Sequence, residues 1–130
     1  MLVLAMRSEL GRYIAYSNDS GETWFNTTLA KSLSPQTPCE SSLLSIPYKG
    51  AYMDTHLYLT SPHSVSRNNM TLFTSSDGGH SWKEGFVIWE GPSGYSSMAY
   101  HELRVYCLYE RGNASYQETL TLASFSPLIL

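Results

Sequence analysis

Long hydrophobic runs, basic residues and cysteines are all scarce in this 130-residue sequence. No apolar stretch approaches the roughly 20 residues of a helical membrane span, and the opening MLVLAM lacks the basic start of a signal peptide. The eight Lys and Arg are scattered and the net charge is -3, which argues against nucleic acid or an anionic membrane as the main partner. The four histidines are scattered too, so we expect neither a metal site nor a metal cofactor.

Only two cysteines occur, Cys39 and Cys107, and each sits in or beside a strand-like stretch. Cysteine in such a setting often behaves as a small buried hydrophobe. The sequence leaves a disulfide between them open, but it favours two free thiols.

Tyrosines and turn-forming residues are plentiful, and they separate short stretches typical of β-strands. Strands are predicted at residues 2–7, 12–17, 24–29, 40–48, 54–60, 69–75, 82–89, 95–100, 103–110 and 115–126. The length fits one ordinary domain. We therefore predict an all-β chain that forms one unit over residues 1–130.

One short motif occurs twice, as SNDSGETW at residues 17–24 and as SSDGGHSW at residues 75–82. Both copies fit S-x-D-x-G-x-x-W, with Ser17, Asp19, Gly21 and Trp24 in the first and Ser75, Asp77, Gly79 and Trp82 in the second. Ser and Asp can accept hydrogen bonds from turn N–H groups, and Gly permits a positive φ. The Trp is expected to bury its ring under the hairpin. We predict a structural brace, with neither aspartate catalytic.

The spacing of the two motifs indicates a repeating architecture. Asp19 and Asp77 lie 58 positions apart, which is close to the period of a four-stranded propeller blade. Each motif follows the third strand of its series and precedes the fourth. The sequence therefore predicts part of a β-propeller with four-stranded antiparallel blades.

Four chemically notable residues are predicted at the end of the blades opposite the braced turns. Successive turns of an antiparallel meander alternate between the two ends of the sheet. Arg7 ends a second strand, Arg67 lies in a connection between second and third strands, Tyr95 lies in the link GPSGYSS between blades, and Glu110 ends another second strand. These four side chains are candidates for one ligand site.

The two turns, PHSVSRNNMT, GPSGYSS and CLYERG, taken in order, resemble the C-terminal part of an exo-α-sialidase. The segments GPSGYSS and LYERG most resemble the lysosomal sialidases of animals. The resemblance covers nearly the whole chain. It implies a six-bladed β-propeller with Asp-box turns that removes terminal sialic acid from glycoproteins, glycolipids and oligosaccharides without a cofactor.

The resemblance also implies roles for the four residues. Arg7 and Arg67 match the second and third of three arginines that bind the sialic acid carboxylate, Tyr95 matches the nucleophile, and Glu110 matches the carboxylate that orients the first arginine. The first arginine, the Asp acid/base and the Glu that activates the tyrosine have no counterpart in this chain. Ala5 departs from the Asn that many members carry. The chain alone is therefore expected to be inactive.

Partners and location follow from the resemblance alone. It implies sialylated glycoconjugates as substrates, a lysosomal location and a carboxypeptidase partner of the cathepsin A type. A membrane-associated or secreted location stays open. The sequons at Asn26, Asn69 and Asn113 fit such a location, whereas Asn18 lies inside a turn and is a poor acceptor.

Less specific interpretations stay open for each candidate. Arg7, Arg67 and Glu110 could be ordinary ion-pair residues, and Tyr95 could simply pack. A propeller that binds sialosides without cleaving them, or a purely structural propeller, would carry the same turns.

Overall fold

The computed structural model describes residues 1–47 and 55–127, and β-strands account for most of them. The strands are β1 (Leu2–Ser8), β2 (Gly11–Ser17), β3 (Phe25–Leu29), β4 (Ser42–Pro47), β5 (Thr55–Pro62), β6 (Asn68–Ser75), β7 (Lys83–His101), β8 (Arg104–Arg111) and β9 (Thr119–Phe125). A single 3₁₀ turn at Lys31–Leu33 is the one helical element in these ranges. The prediction of an all-β chain is confirmed.

Two antiparallel sheets contain these strands, in the orders β1-β2-β3 and β4-β5-β6-β7-β8-β9. The second sheet has six strands because β7 belongs to two strand groups, first pairing with β6 and then with β8. The four strands predicted for the second repeat are therefore present as β4, β5, β6 and the first half of β7. A ring of six blades stays a prediction.

The long strand β7 differs from the sequence prediction, which placed two strands with a loop around Tyr95 between them. The structure has one strand from Lys83 to His101, so the prediction of a loop at Tyr95 is wrong. Pairing passes directly from one neighbour to the other, because Pro92 still faces β6 while Ser93 already faces Arg111 of β8. The change of partner needs only a register irregularity between Ser93 and Ser96.

The middle strands β5 and β6 are buried on both faces, at polar positions such as Thr60 and Thr71 as well as at hydrophobic ones. Leu59 and Phe73 pack toward the first sheet, in a core with Trp82. Their chain neighbours Tyr58 and Leu72 point the opposite way and pack in a second core with β8. Because successive side chains of a strand alternate between its faces, the curled second sheet lies between the first sheet and its own last strands.

The two cysteines are free and fully buried, in agreement with the sequence-based expectation. Burial raises the pKa of the Cys107 thiol to about 11. Across residues 1–47 and 55–127, no group of three or more His, Cys, Asp or Glu is placed to bind a metal. No helix in these ranges is long and apolar enough to cross a lipid bilayer.

Candidate functional site

The first braced turn is held by hydrogen bonds among its own residues. The Ser17 hydroxyl accepts the Gly21 N–H at 2.8 Å and donates to the Asp19 carboxylate at 2.8 Å. That carboxylate also accepts the N–H of Thr23 at 2.9 Å and its hydroxyl at 2.5 Å. The indole N–H of Trp24 donates to the Gly21 carbonyl at 3.1 Å, and Gly21 has a φ of 95°.

The second braced turn repeats this arrangement bond for bond. Ser75 donates to Asp77 at 2.7 Å and accepts the Gly79 N–H at 2.9 Å. Asp77 accepts the N–H and the hydroxyl of Ser81 at 2.9 and 2.5 Å. The Trp82 indole donates to the Gly79 carbonyl at 3.1 Å, and Gly79 has a φ of 93°. The hydrogen bonds give both aspartates a structural role in these turns.

The two tryptophans differ in burial, which corrects the expectation that both rings are buried. Trp82 is 4% exposed, because its ring lies in the core that contains Tyr16 and Leu57. Trp24 is 39% exposed. At the glycine of its turn, Gly21, the neighbouring side chain from another strand is that of Leu2. The second turn packs between two sheets, whereas the first lies on an outer face of the described residues.

The turn hydrogen bonds also control how the two aspartates titrate. Hydrogen bonds from the Thr23 side chain and N–H lower the pKa of Asp19 to about 2. Burial acts to raise the pKa of Asp77, but hydrogen bonds from Ser81 and Ser75 outweigh it and lower this pKa to about 2 as well. Both carboxylates are therefore ionised wherever the protein is folded near neutral pH.

Three of the four candidate residues contact one another at the opposite end of the strands. The guanidinium carbon of Arg67 lies 5.3 Å from the ring centre of Tyr95. The Tyr95 N–H donates to the Glu110 carboxylate at 2.8 Å, and the Arg67 carbonyl accepts the Ser93 N–H at 2.9 Å. Residues far apart in sequence thus converge where β7 passes from β6 to β8.

Tyr95 is 43% exposed, and its position in β7 is set by two acidic side chains. Its own N–H donates to Glu110, and the next N–H, that of Ser96, donates to Glu40 at 2.9 Å. Both N–H groups lie at the register irregularity of β7. Glu40 precedes β4 by two residues, and sequence reasoning missed it because its partner is 56 positions away.

Arg7 lies at the same end, near a buried arginine that sequence reasoning also missed. Arg7 is exposed on β1 and faces Arg12 across the strand pair. Arg12 is 3% exposed, and it donates to the Cys39 carbonyl at 2.8 Å and to the Ser61 hydroxyl at 3.4 Å. Burial lowers the pKa of Arg12, and the charge of Arg7 adds to this effect.

The positive charges of Arg7, Arg12 and Arg67 each act to lower the pKa of the Cys39 thiol, so all three guanidinium groups lie near Cys39. Burial nevertheless raises the pKa of that thiol, so Cys39 stays neutral. Burial acts to lower the pKa of Arg67, but at the high pH where Arg67 titrates the ionised Cys39, Tyr116 and Tyr95 outweigh burial and raise this pKa. This end of the chain thus carries three guanidinium groups together with the carboxylates of Glu40 and Glu110.

A cavity of about 260 Å³ opens beside Tyr95 and both acidic residues. Its lining consists of Glu40, Tyr95, Ser96, Ser97, Leu108, Tyr109, Glu110 and Leu120. The lining combines an exposed phenol and two carboxylates with apolar side chains. The cavity is wide open, its exposed surface is mainly apolar, and neither Arg7 nor Arg67 lines it, so it is separate from the arginine side of Tyr95.

A second tyrosine, Tyr116, contacts Arg67 and was not predicted as a site residue. The Arg67 guanidinium carbon lies 4.9 Å from its ring centre. Sequence analysis placed Tyr116 in a final strand starting at residue 115. The structure begins β9 only at Thr119, so Tyr116 belongs to the preceding loop and can reach back to Arg67.

The three sequon asparagines lie outside this cluster of contacts. Asn26 and Asn113 are exposed, whereas Asn69 is half-buried in β6. The Asn69 carbonyl accepts the His63 N–H at 2.8 Å and the Thr71 hydroxyl at 2.9 Å. Asn26 and Asn113 are therefore the more accessible of the three.

Comparison with known sequences gives a family match over most of the chain. The family described as BNR repeat-like domain matches residues 1–116. A sialidase of Bacteroides fragilis is 31% identical over 106 residues, which cover 76% of this chain and 20% of that protein. Sialidase-4 of Mus musculus is 42% identical over 53 residues, covering 36% of this chain and 11% of that protein. The chain thus spans a fifth or less of these relatives.

Solved structures of sialidases share the fold of this chain. Hadza microbial sialidase Hz136 superposes with a TM-score of 0.78 at 27% identity, over 95% of this chain and 25% of that one. Trypanosoma rangeli sialidase in complex with sialic acid has a TM-score of 0.67 at 22% identity, over 92% of this chain and 20% of that one. The curled sheets therefore resemble the blades of sialidase propellers.

Proposed function

The chain belongs to the BNR repeat-like domain family, and from that premise we propose that it is part of an exo-α-sialidase. The proposed reaction is hydrolysis of terminal α-linked sialic acids from glycoproteins, glycolipids and oligosaccharides, with retention of configuration. The observation that carries this proposal is the contact of Arg67 with Tyr95, whose N–H is held by Glu110. The sialidases named above support it independently.

The residue types fit the chemistry of sialic acid. Its anomeric carbon bears a carboxylate, and arginine offers a planar fork of N–H donors that matches a carboxylate. Arg67 and Arg7 would bind this group at the end of the strands where Tyr95 lies. A carboxylate nucleophile would be repelled by the substrate, whereas a neutral phenol is not, and sialidases with a tyrosine nucleophile are an established exception among glycosidases.

In the proposed mechanism the Tyr95 phenolic oxygen attacks the anomeric carbon. The bond to the leaving oxygen breaks, and that oxygen takes a proton from an acid. Water then displaces Tyr95 and releases sialic acid with the original configuration. The acid, the base that accepts the phenol proton and a further arginine would come from residues outside this chain, so we expect no turnover from the chain alone.

The finer assignments are also part of the proposal. We propose that the complete protein is a six-bladed propeller with Asp-box turns, closest in type to the animal lysosomal sialidases. A lysosomal location and a carboxypeptidase partner of the cathepsin A type would accompany that assignment. Recovery of the tagged protein from purified lysosomes, together with such a carboxypeptidase, would support these points; its absence from both would contradict them.

Tyr95→Phe in the complete protein that carries this chain tests the mechanism. The substitution removes one oxygen and keeps the ring beside Arg67. If Tyr95 is the nucleophile, hydrolysis of a fluorogenic sialoside falls by orders of magnitude, while sialoside binding and thermal stability change little. Tyr106→Phe, in the middle of β8, is the matched control and should keep full activity.

A fluorinated sialosyl donor gives a direct readout, because it can trap the covalent intermediate. Mass spectrometry of a digest should place the adduct on the peptide that contains Tyr95. An adduct elsewhere, or wild-type turnover by the Tyr95→Phe variant, would remove Tyr95 from the mechanism. Binding of sialosides without turnover by the wild-type protein would favour a binding propeller instead.

A further inference from the structure

The side chain of Arg67 is contacted by two aromatic rings that come from different elements. Tyr95 belongs to β7, and Tyr116 belongs to the loop between β8 and β9. The guanidinium carbon lies 5.3 Å from the first ring centre and 4.9 Å from the second. Tyr116 is therefore at least as close to Arg67 as the proposed nucleophile is.

The loop that carries Tyr116 is held by one acidic side chain. The Glu118 carboxylate accepts the N–H groups of Asn113, Ala114 and Ser115 at 3.1, 2.7 and 2.8 Å. These N–H groups lie just before Tyr116, and Glu118 lies just after it. The Glu118 carboxylate thus links the residues before Tyr116 to the residue two positions after it, which restricts the backbone conformation of Tyr116.

Both ends of the loop are fixed to the sheet as well. At its start, the Gly112 N–H donates to the Pro92 carbonyl at 3.1 Å, and the Gly112 carbonyl accepts the Trp89 indole N–H at 3.3 Å. At its end, the Thr119 hydroxyl donates to the Arg111 carbonyl at 3.0 Å. The loop is consequently a rigid support for Tyr116.

We propose that Tyr116 is a positioning residue, which orients the Arg67 guanidinium toward the substrate carboxylate, and that Glu118 holds its loop in place for this purpose. The inference rests on the proposed function, because it takes Arg67 to be a carboxylate ligand. Tyr116 itself need not touch the substrate.

The physical reason is the freedom of an arginine side chain. Arginine has several rotatable bonds, and a bidentate contact with a carboxylate requires one orientation of its plane. Aromatic rings attract the guanidinium through cation–π contacts and fix it before the substrate arrives. A guanidinium that is already oriented loses less entropy on binding, so affinity improves without any new contact to the substrate.

The test compares Tyr116→Leu and Tyr116→Phe in the complete protein that carries this chain, with a fluorogenic sialoside. Leucine removes the aromatic ring, so KM should rise by about 3- to 30-fold while kcat changes little. Phenylalanine keeps the ring and should restore the wild-type KM. Glu118→Gln, which cannot accept three N–H bonds as a carboxylate does, should raise KM in the same direction. Tyr106→Leu is the matched control and should leave KM unchanged.

A second measurement detects the contact of Tyr116 with Arg67 without any turnover. The Nε–H signal of Arg67 in NMR spectra should carry a ring-current shift from Tyr116, which Tyr116→Leu removes and Tyr116→Phe retains. A purely structural role would lower Tm in the leucine variant without moving KM.

The outcomes separate this inference from the proposed function. Turnover by the wild-type protein with an unchanged KM in Tyr116→Leu would overturn the role of Tyr116 and leave the sialidase proposal intact. Absence of wild-type turnover and of sialoside binding would overturn the proposed function. In that case the orientation of Arg67 toward a substrate carboxylate would be overturned as well. With wild-type turnover present, an unchanged Arg67 shift in Tyr116→Leu would overturn the role of Tyr116 alone.

Discussion

Replacing Trp82 by alanine should destabilise the 130-residue chain more than replacing Trp24 by alanine, although the two residues occupy the same position in twin turns. In both turns the indole N–H donates to a glycine carbonyl at 3.1 Å, so the hydrogen-bond contribution cancels in the comparison. What differs is burial, at 4% exposure for Trp82 and 39% for Trp24. The difference in unfolding free energy between Trp82→Ala and Trp24→Ala therefore isolates the contribution of packing between the two sheets.

The magnitude follows from the area that differs. A tryptophan can bury up to about 250 Å², so a difference of 35 percentage points, 39 minus 4, corresponds to about 90 Å². At about 25 cal/mol per Å² this is about 2 kcal/mol. Trp82→Ala should cost about 3–5 kcal/mol, as expected for a large core side chain, and Trp24→Ala about 2 kcal/mol less.

The assay is urea unfolding of the chain followed by far-UV circular dichroism, because both variants lose a fluorophore. The slope of free energy against urea should be similar in all three proteins, so that midpoints report stability. Equal losses in the two variants, or a larger loss for Trp24→Ala, would refute the assignment of Trp82 to the core between the sheets.

Three further predictions follow. Asp77→Ala should cost about 1–2 kcal/mol of unfolding free energy, since the charged acceptor for the Ser81 N–H and hydroxyl is lost; an unchanged thermal midpoint would contradict the brace. Folding lowers the pKa values of Asp19 and Asp77 from 3.8 to about 2, so the stability that they contribute should be present above pH 3.8 and lost as the pH falls toward 2. In acid titrations of unfolding, the Asp19→Asn, Asp77→Asn double variant should lack this loss of stability. The same loss in both proteins would show that these carboxylates are not its source. Arg67→Lys keeps the charge but loses the planar fork of N–H donors and weakens the contacts with the two rings. The affinity of the complete protein for a sialoside, measured by calorimetry, should therefore fall about tenfold while the fold is unchanged. An affinity equal to that of the wild-type protein would argue against a bidentate contact between Arg67 and the carboxylate.

The backbone hydrogen bonds to Ser and Asp in the braced turns could be predicted from the sequence because these partners are local. Ser and Asp accept N–H groups at most four positions away, so the spacing of S-x-D-x-G-x-x-W contains these bonds. The hydroxyls of Thr23 and Ser81, which also donate to the aspartates, occupy positions that the motif leaves open. The burial of the tryptophans could not be predicted in this way. Trp82 shares a core with Tyr16 and Leu57 from other strands, and no local spacing distinguishes it from Trp24.

Strand positions were predicted more accurately than strand ends. The loop expected around Tyr95 follows from GPSG, since Gly and Pro usually interrupt strands. Here β7 keeps its extended course, because Glu40 and Glu110 accept the two N–H groups at its irregularity. These acceptors come from elements 56 and 15 positions away, so tertiary contacts override the local signal.

The candidate site shows the same division between local and distant information. Arg67 and Tyr95 could be selected by motif, because each lies in a short segment with a family resemblance. Tyr116 could not be selected, because it looks like one more strand tyrosine until the loop before β9 is seen to bend back over Arg67. A sequence motif can identify a residue that acts through its own functional group, such as an arginine that binds a carboxylate. A residue that acts by orienting another side chain can be identified only from the structure, which shows the contact between the two.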